Sequence, residues 1–116
     1  MANNRWTEKA QNALRLSYEA ASALGHNYVG SEHILLGLLG EKRGVASKIL
    51  LSYGVTGDAL TAAIVQAIGK GTPGVQPMGM TPHAKEIMEL AAAEAAGQGA
   101  EYIGTEHMLM AILREK

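Results

Sequence analysis

The sequence lacks cysteine and phenylalanine, and it carries almost no net charge. Without cysteine the chain has neither disulfides nor thiolate metal sites. A formal net charge of -1 gives no basic surface of the kind that nucleic-acid binding requires. The sequence shows neither an apolar signal segment near its start nor an apolar run as long as a membrane span. We therefore expect a cytoplasmic protein with no nucleic-acid partner and no membrane partner.

Aromatic residues are also scarce, with one tryptophan and four tyrosines among 116 residues. Because 47% of the residues are hydrophobic, the core must consist of aliphatic side chains and alanine. This composition favours closely packed helices. The length suits one small domain with a single core of modest size.

What the sequence does contain is an internal duplication at an offset of 74 residues. The stretch 28–39 has the sequence YVGSEHILLGLL, and its counterpart 102–113 has the sequence YIGTEHMLMAIL. Aligning 7–42 with 81–116 gives 13 identities in 36 positions. In each copy a glycine, a serine or threonine and a glutamate precede an apolar helical face, which predicts a helix start. We expect Ser31 and Thr105 to cap these two helices.

Hydrophobic spacing and turn residues predict an all-α fold of two pseudo-symmetric repeats. Repeat one covers about 7–68 and holds four helices, near 7–24, 31–40, 45–53 and 58–68. A linker with four glycines and two prolines follows at 69–80. The partial repeat two, 81–116, holds two helices and has no counterpart of the third and fourth, so either the chain is shortened or another molecule covers that surface. The expected buried stripe of the fourth helix consists of Leu60, Ala63, Ile64, Ala67 and Ile68.

Four segments of this pattern resemble the N-terminal repeat domain of the Clp AAA+ unfoldases, and the ClpC branch in particular. They are TEKA at 7–10, GHNYVGSEHILLGL at 25–38, TPHAK at 81–85 and YIGTEH at 102–107. The resemblance implies a single all-α domain that precedes the ATPase rings and receives unfolded substrates and adaptor proteins. The ATPase modules and the partner protease lie outside these residues, so the resemblance implies no enzyme activity, cofactor or metal here.

The resemblance also implies that the domain recognises phosphoarginine on proteins marked for degradation, in two equivalent pockets. An acidic residue binds the guanidinium in each pocket, while a helix-start threonine and nearby basic residues bind the phosphate. The acids are Glu32 and Glu106, and the phosphate-binding residues are Thr7, Thr81, Lys85 and Lys9. The sequence leaves open which acid pairs with which threonine. It departs from the family pattern at Trp6, Met80 and His83, and in the missing third and fourth helices of repeat two.

Ordinary helix chemistry offers another interpretation of the same residues. Glutamate is common after a cap, and Thr7 and Thr81 would cap helices whether or not they bind a ligand. Both lysines would then be merely solvated. We expect His33 and His107 to be structural residues that are hydrogen-bonded between helices. We expect Tyr28 and Tyr102 to pack in the core or between the repeats and not to contact a ligand.

Three alternative functions remain at this point. The first is a docking module for adaptors or apolar peptides that ignores phosphoarginine. It requires an exposed apolar groove between the repeats, with Glu32 and Glu106 engaged in internal pairs. The second is a free-standing Clp-repeat protein that competes for marked substrates. The third is an enzyme with Glu32 and Glu106 as paired carboxylates, but the sequence shows no nucleophile to support it.

Overall fold

The computed structural model of the protein describes residues 5–115, and that part of the chain folds into six helices without a strand. The helices are α1 (Glu8–Ala23), α2 (Ser31–Gly40), α3 (Val45–Ser52), α4 (Gly57–Ile68), α5 (Pro82–Gly97) and α6 (Thr105–Glu115). The predicted six-helix, all-α architecture is therefore confirmed. No single helix in residues 5–115 is long and apolar enough to span a membrane. The pair α3 and α4, bent by 81° between them, has the length and composition of a span when the two helices are taken together.

The two 16-residue helices, α1 and α5, begin and end in the same way. The side-chain oxygens of Thr7 and Thr81 accept the amide hydrogens of the third helical residues at 3.0 Å, as expected of N-caps. At the other ends, Gly25 and Gly99 adopt φ values of 74° and 71°, which only glycine adopts without strain. The predicted bounds of α1 and the predicted cap at the start of α5 are confirmed.

The predicted caps of α2 and α6 are wrong. Ser31 and Thr105 are the first helical residues, and Gly30 occupies the N-cap position of α2. Thr105 instead accepts the amide hydrogen of Ala46 at 3.3 Å, at the start of α3. Because the N-cap of α3 is a glycine without a side chain, the cap comes from a distant part of the chain. This contact joins α3 to α6.

The core lies where α1 and α2 cross and where α5 and α6 cross. In the first crossing a Cβ added to Gly37 would lie 2.1 Å from the carbonyl oxygen of Ala13 and 2.2 Å from Oγ of Ser17. At the 74-residue offset, the second crossing has Ala111 and Ala91 at the positions of Gly37 and Ser17, and both alanines are fully buried. Small residues therefore set the close approach of each helix pair.

Two predictions of burial are wrong. Of the predicted stripe on α4 only Ile64 is buried, and Ile68 is 59% exposed. The reason is that α4 packs against α2 alone among the described helices. Tyr28 and Tyr102 are 48% and 54% exposed, because in each case the next residue, Val29 or Ile103, takes the buried position.

The segment 69–80 lies against the end of α1 and the connection to α2. Gly71 donates its amide hydrogen to the carbonyl of Leu24 at 2.9 Å, and Met78 donates to the carbonyl of Asn27 at 2.7 Å. The segment ends in an isolated parallel bridge between Met80 and Val29. The segment therefore places the start of α5 beside the start of α2.

The crossing of α1 and α2 generates a stability prediction. Gly37→Ala should lower the free energy of unfolding by about 1–3 kcal/mol, because the new methyl group meets backbone and a buried hydroxyl with no room to move. Urea unfolding followed by circular dichroism measures the change. Gly57→Ala is the matched control, since a Cβ there meets nothing within 4 Å. Equal midpoints for the two variants would contradict the close approach at Gly37.

Candidate functional site

The structure places the helix starts side by side in crossed pairs. The amide of Thr81 donates to the carbonyl of Val29 at 2.9 Å, so the start of α5 lies beside the start of α2. The amide of Thr7 donates to the carbonyl of Ile103 at 2.9 Å, so the start of α1 lies beside the start of α6. Thr81 is thus brought to the helix that carries Glu32, and Thr7 to the helix that carries Glu106.

Both glutamates fold back over the glycine that precedes their helix. A Cβ added to Gly30 would lie 2.6 Å from Oε1 of Glu32, and a Cβ added to Gly104 would lie 2.6 Å from Oε1 of Glu106. The two carboxylates therefore occupy equivalent places at the two helix starts. Within residues 5–115 neither carboxylate pairs with lysine or arginine. Both carboxylates are available for a cationic ligand group.

The threonines keep hydrogen-bonding capacity beyond their role as caps. Each hydroxyl accepts one amide hydrogen, from Ala10 or from Ala84, and still has its own hydrogen to donate. Each also stands at the positive end of a helix dipole, where an anion is stabilised. Each pair of helix starts thus combines a carboxylate with a potential anion site.

The basic residues differ between the two pairs of helix starts. Lys9 and Lys85 are both exposed, and neither forms an ion pair within the described part of the chain. At the 74-residue offset Lys85 corresponds to Gln11, whose Nε2 donates to the carbonyl of Trp6 at 3.0 Å. Lys9 corresponds to His83. The acids and threonines are therefore duplicated, while the cations are not.

Two buried histidines fix the glycines under the carboxylates. Nδ1 of His33 accepts the amide hydrogen of Gly30 at 2.9 Å, and Nδ1 of His107 accepts that of Gly104 at 2.9 Å. Both histidines are hydrogen-bonded as expected, but their partners lie in the segments that connect the helices and not on a facing helix. Burial lowers the pKa of His33 below its ordinary value, an effect that nearby Glu32 partly opposes and His26 reinforces. His33 is therefore neutral at pH 7.

An open groove of about 830 Å³ lies between α1 of repeat one and α5 of repeat two, which is the place that the docking alternative requires. Trp6 and Met80 line it, and these residues directly precede Thr7 and Thr81. The groove therefore adjoins both pairs of helix starts. Its remaining lining residues are Ala10, Gln11, Leu14, Arg15, Tyr18 and Met88.

The helices and their crossed starts define a helical repeat domain with two similar candidate binding places. Residues 5–116 match the family described as the Clp repeat (R) N-terminal domain, and the chain belongs to that family.

Curated relatives agree with this assignment. The chain is 44% identical over 115 residues to the chaperone protein ClpB of Oceanobacillus iheyensis, and 43% identical over 115 residues to the negative regulator of genetic competence ClpC/MecB of Bacillus subtilis. It is 46% identical over 112 residues to the chloroplast chaperone protein ClpC2 of Arabidopsis thaliana. These alignments cover 96–99% of this chain but only 12–14% of the relatives.

A solved structure shows the same fold. The N-terminal domain of the chaperone ClpD from Arabidopsis thaliana superposes with a TM-score of 0.80 at 25% identity, covering 97% of this chain and 77% of that domain. The chain therefore has the fold of a Clp N-terminal domain.

Proposed function

We propose that this chain is the non-catalytic receptor domain of a cytoplasmic protein-unfolding machine, and that it binds phosphoarginine-marked proteins in two pockets. The Glu32 pocket consists of Glu32 with Thr81 and Lys85, and the Glu106 pocket consists of Glu106 with Thr7 and Lys9. The observation that carries the proposal is the crossed pairing of helix starts. It twice sets a carboxylate that pairs with no lysine or arginine of residues 5–115 beside a threonine-capped helix start.

The chemistry of phosphoarginine fits this arrangement. Its guanidinium is planar and cationic, and a carboxylate can accept two of its N–H groups at once. Its phosphate is anionic, and a helix start with a threonine hydroxyl and a lysine supplies donors of the right sign. Hydrogen bonds to charged groups of this kind contribute roughly 1.5–3 kcal/mol each. A pocket with both parts should therefore prefer phosphoarginine over arginine or phosphate alone.

The length of the relatives supports a proposal for the remaining parts of the machine. The relatives are about seven times longer than the part that the chain matches. We propose that ATPase modules and a partner protease act on what this domain holds, and that adaptor proteins dock on it. Two pockets on one domain would raise the apparent affinity for substrates marked more than once.

Calorimetric titration of free phosphoarginine tests the proposal. The wild-type chain should bind two equivalents, and the Glu32→Ala, Glu106→Ala double variant should bind none. Each single variant should bind one equivalent, because removal of one carboxylate leaves the other pocket intact. Affinity should fall at least tenfold when arginine replaces phosphoarginine, since the phosphate contacts are lost.

Glu89→Ala is the matched control, because Glu89 is an exposed glutamate on α5 away from the helix starts. Circular dichroism and urea unfolding should show that all variants keep the fold. Absence of heat from the wild-type chain at millimolar phosphoarginine would contradict the proposal, as would undiminished binding by the double variant.

A second candidate function rests on the groove between α1 and α5. Its aromatic and methionine lining, with Trp6, Met80 and Met88, suits an apolar peptide segment of an unfolded substrate or an adaptor. In this function phosphoarginine has no part, and the groove alone holds the partner.

The sole tryptophan of the chain, Trp6, allows a direct test of the groove. Titration with an apolar nonapeptide should change the fluorescence of Trp6, and Met80→Asp should weaken that binding about tenfold or more because it places a charge in the apolar lining. The Met80→Asp variant should keep its phosphoarginine binding if the two functions are separate. The titration is run twice, with saturating phosphoarginine and without it. If the peptide leaves the fluorescence of Trp6 unchanged in both titrations, the groove does not bind apolar peptides.

A further inference from the structure

His26 and His33 form a hydrogen-bonded pair that reaches from the start of α2 to the end of α4. Nε2 of His33 lies 2.7 Å from Nδ1 of His26, and Nε2 of His26 lies 2.9 Å from the carbonyl oxygen of Gly69. Gly69 is the C-cap of α4 and the first residue of the segment 69–80. Three hydrogen bonds therefore connect Gly30, His33, His26 and Gly69 in series.

Only one placement of the ring hydrogens satisfies all three hydrogen bonds of this series. Nδ1 of His33 accepts the amide hydrogen of Gly30, so the hydrogen of this neutral ring lies on Nε2 and is donated to His26. Nδ1 of His26 is then an acceptor, and its Nε2 hydrogen is donated to the carbonyl of Gly69. Both rings must be neutral and must carry their hydrogen on Nε2.

An added proton breaks the series wherever it binds. On Nδ1 of His33 it would face the amide hydrogen of Gly30, and on Nδ1 of His26 it would face the Nε2 hydrogen of His33. Each case sets two donors against each other at a distance of 2.7–2.9 Å. We propose that the His26–His33 pair is an acid-sensitive latch that holds the end of α4 and the segment 69–80 to the start of α2.

The rest of the structure makes this latch consequential. Because α2 is the one described helix that α4 packs against, α4 has few other contacts within residues 5–115 to hold its C-terminal end. Two residues after Gly69, the amide of Gly71 donates to the carbonyl of Leu24, so release at Gly69 should expose that bond. His107 has a different second partner, since its Nε2 lies 3.1 Å from Oε1 of Gln98, which does not titrate. Glutamine therefore stands beside the buried histidine of the second helix pair, where the first pair has a second histidine.

The charges around the pair set the direction of the pH dependence. Oε2 of Glu32 lies 3.8 Å from Nδ1 of His33 and favours protonation of that ring. The neighbouring ring of His26 opposes protonation of His33. Lys70, next to Gly69, is exposed. Burial is the largest influence, and it holds the pKa of His33 below that of an unfolded histidine, about 6.5. The stability from the neutral ring is therefore complete above pH 6.5 and is lost as the pH falls through the lower folded-state pKa.

Nitrogen-15 NMR of the full chain tests the latch without any ligand. At pH 7.5 both rings should carry hydrogen on Nε2, and the amide of Gly71 should be protected from exchange. At pH 5.5 the protection factor of Gly71 should fall about tenfold, while that of Thr7, which donates to Ile103, should change little. Glu41 stays ionised throughout, since hydrogen bonds from Asn12 and then Arg43 lower its pKa against the effect of burial.

His26→Gln is the informative variant, because an amide can accept from His33 and donate to Gly69 without titrating. Its urea midpoint should match that of the wild type at pH 7.5 and should fall less between pH 7.5 and pH 5.5. Gln66→Ala, at an exposed and non-titrating position of α4, is the control and should show the wild-type dependence. An Nδ1 hydrogen on either ring at pH 7.5 would overturn the proposal, as would unchanged protection of Gly71 while His33 becomes protonated.

If the proposed function also holds, acid should weaken the Glu32 pocket more than the Glu106 pocket. The reason is that Gly30, which His33 holds in place, lies under the carboxylate of Glu32. This consequence rests on the proposed function, since it concerns phosphoarginine binding. The NMR and unfolding results stand whether or not the chain binds phosphoarginine, so the two proposals fail separately.

Discussion

Two isolated parallel bridges, Trp6–Ile103 and Val29–Met80, hold the starts of α1, α2, α5 and α6 in place. Each bridge sets the residues before one capped helix against the residues before a glutamate-bearing helix. The residues just before α1, α2, α5 and α6 are extended, and their backbone amides and carbonyls bond to each other across each bridge. A few backbone hydrogen bonds therefore fix the relative positions of these four segments. The carboxylates, the caps and the groove all take their positions from these contacts.

The helices could be predicted from the sequence because their signals are local. Thr7 and Thr81 have the cap chemistry of their positions, and α2 begins at Ser31 and ends at Gly40 as its pattern indicates. The crossed pairing of Glu32 with Thr81 could not be predicted, since it depends on contacts more than 45 residues apart in the chain. The same holds for Thr105, whose hydroxyl caps α3 rather than its own helix.

The helix pairs show what an amphipathic pattern does and does not determine. Leu39 and Leu113 are identical residues at equivalent positions, yet they are 6% and 61% exposed. Ser47 of α3 donates to the carbonyl of Leu39, so α3 lies against the end of α2 that carries Leu39. The stripe on α4 was mispredicted for a related reason, because periodicity gives a face but not its neighbour. Burial in this fold depends on which helix lies opposite.

The central claim is that each carboxylate works with the threonine of the other helix pair, and NMR of the Glu106→Ala variant tests it most directly. With the Glu106 pocket removed, added phosphoarginine should shift the amide signals of Gly30 and Thr81 together, and it should leave those of Thr7 and Gly104 in place. A shift of Thr7 together with Gly30, while Thr81 stays unchanged, would contradict the crossed pairing.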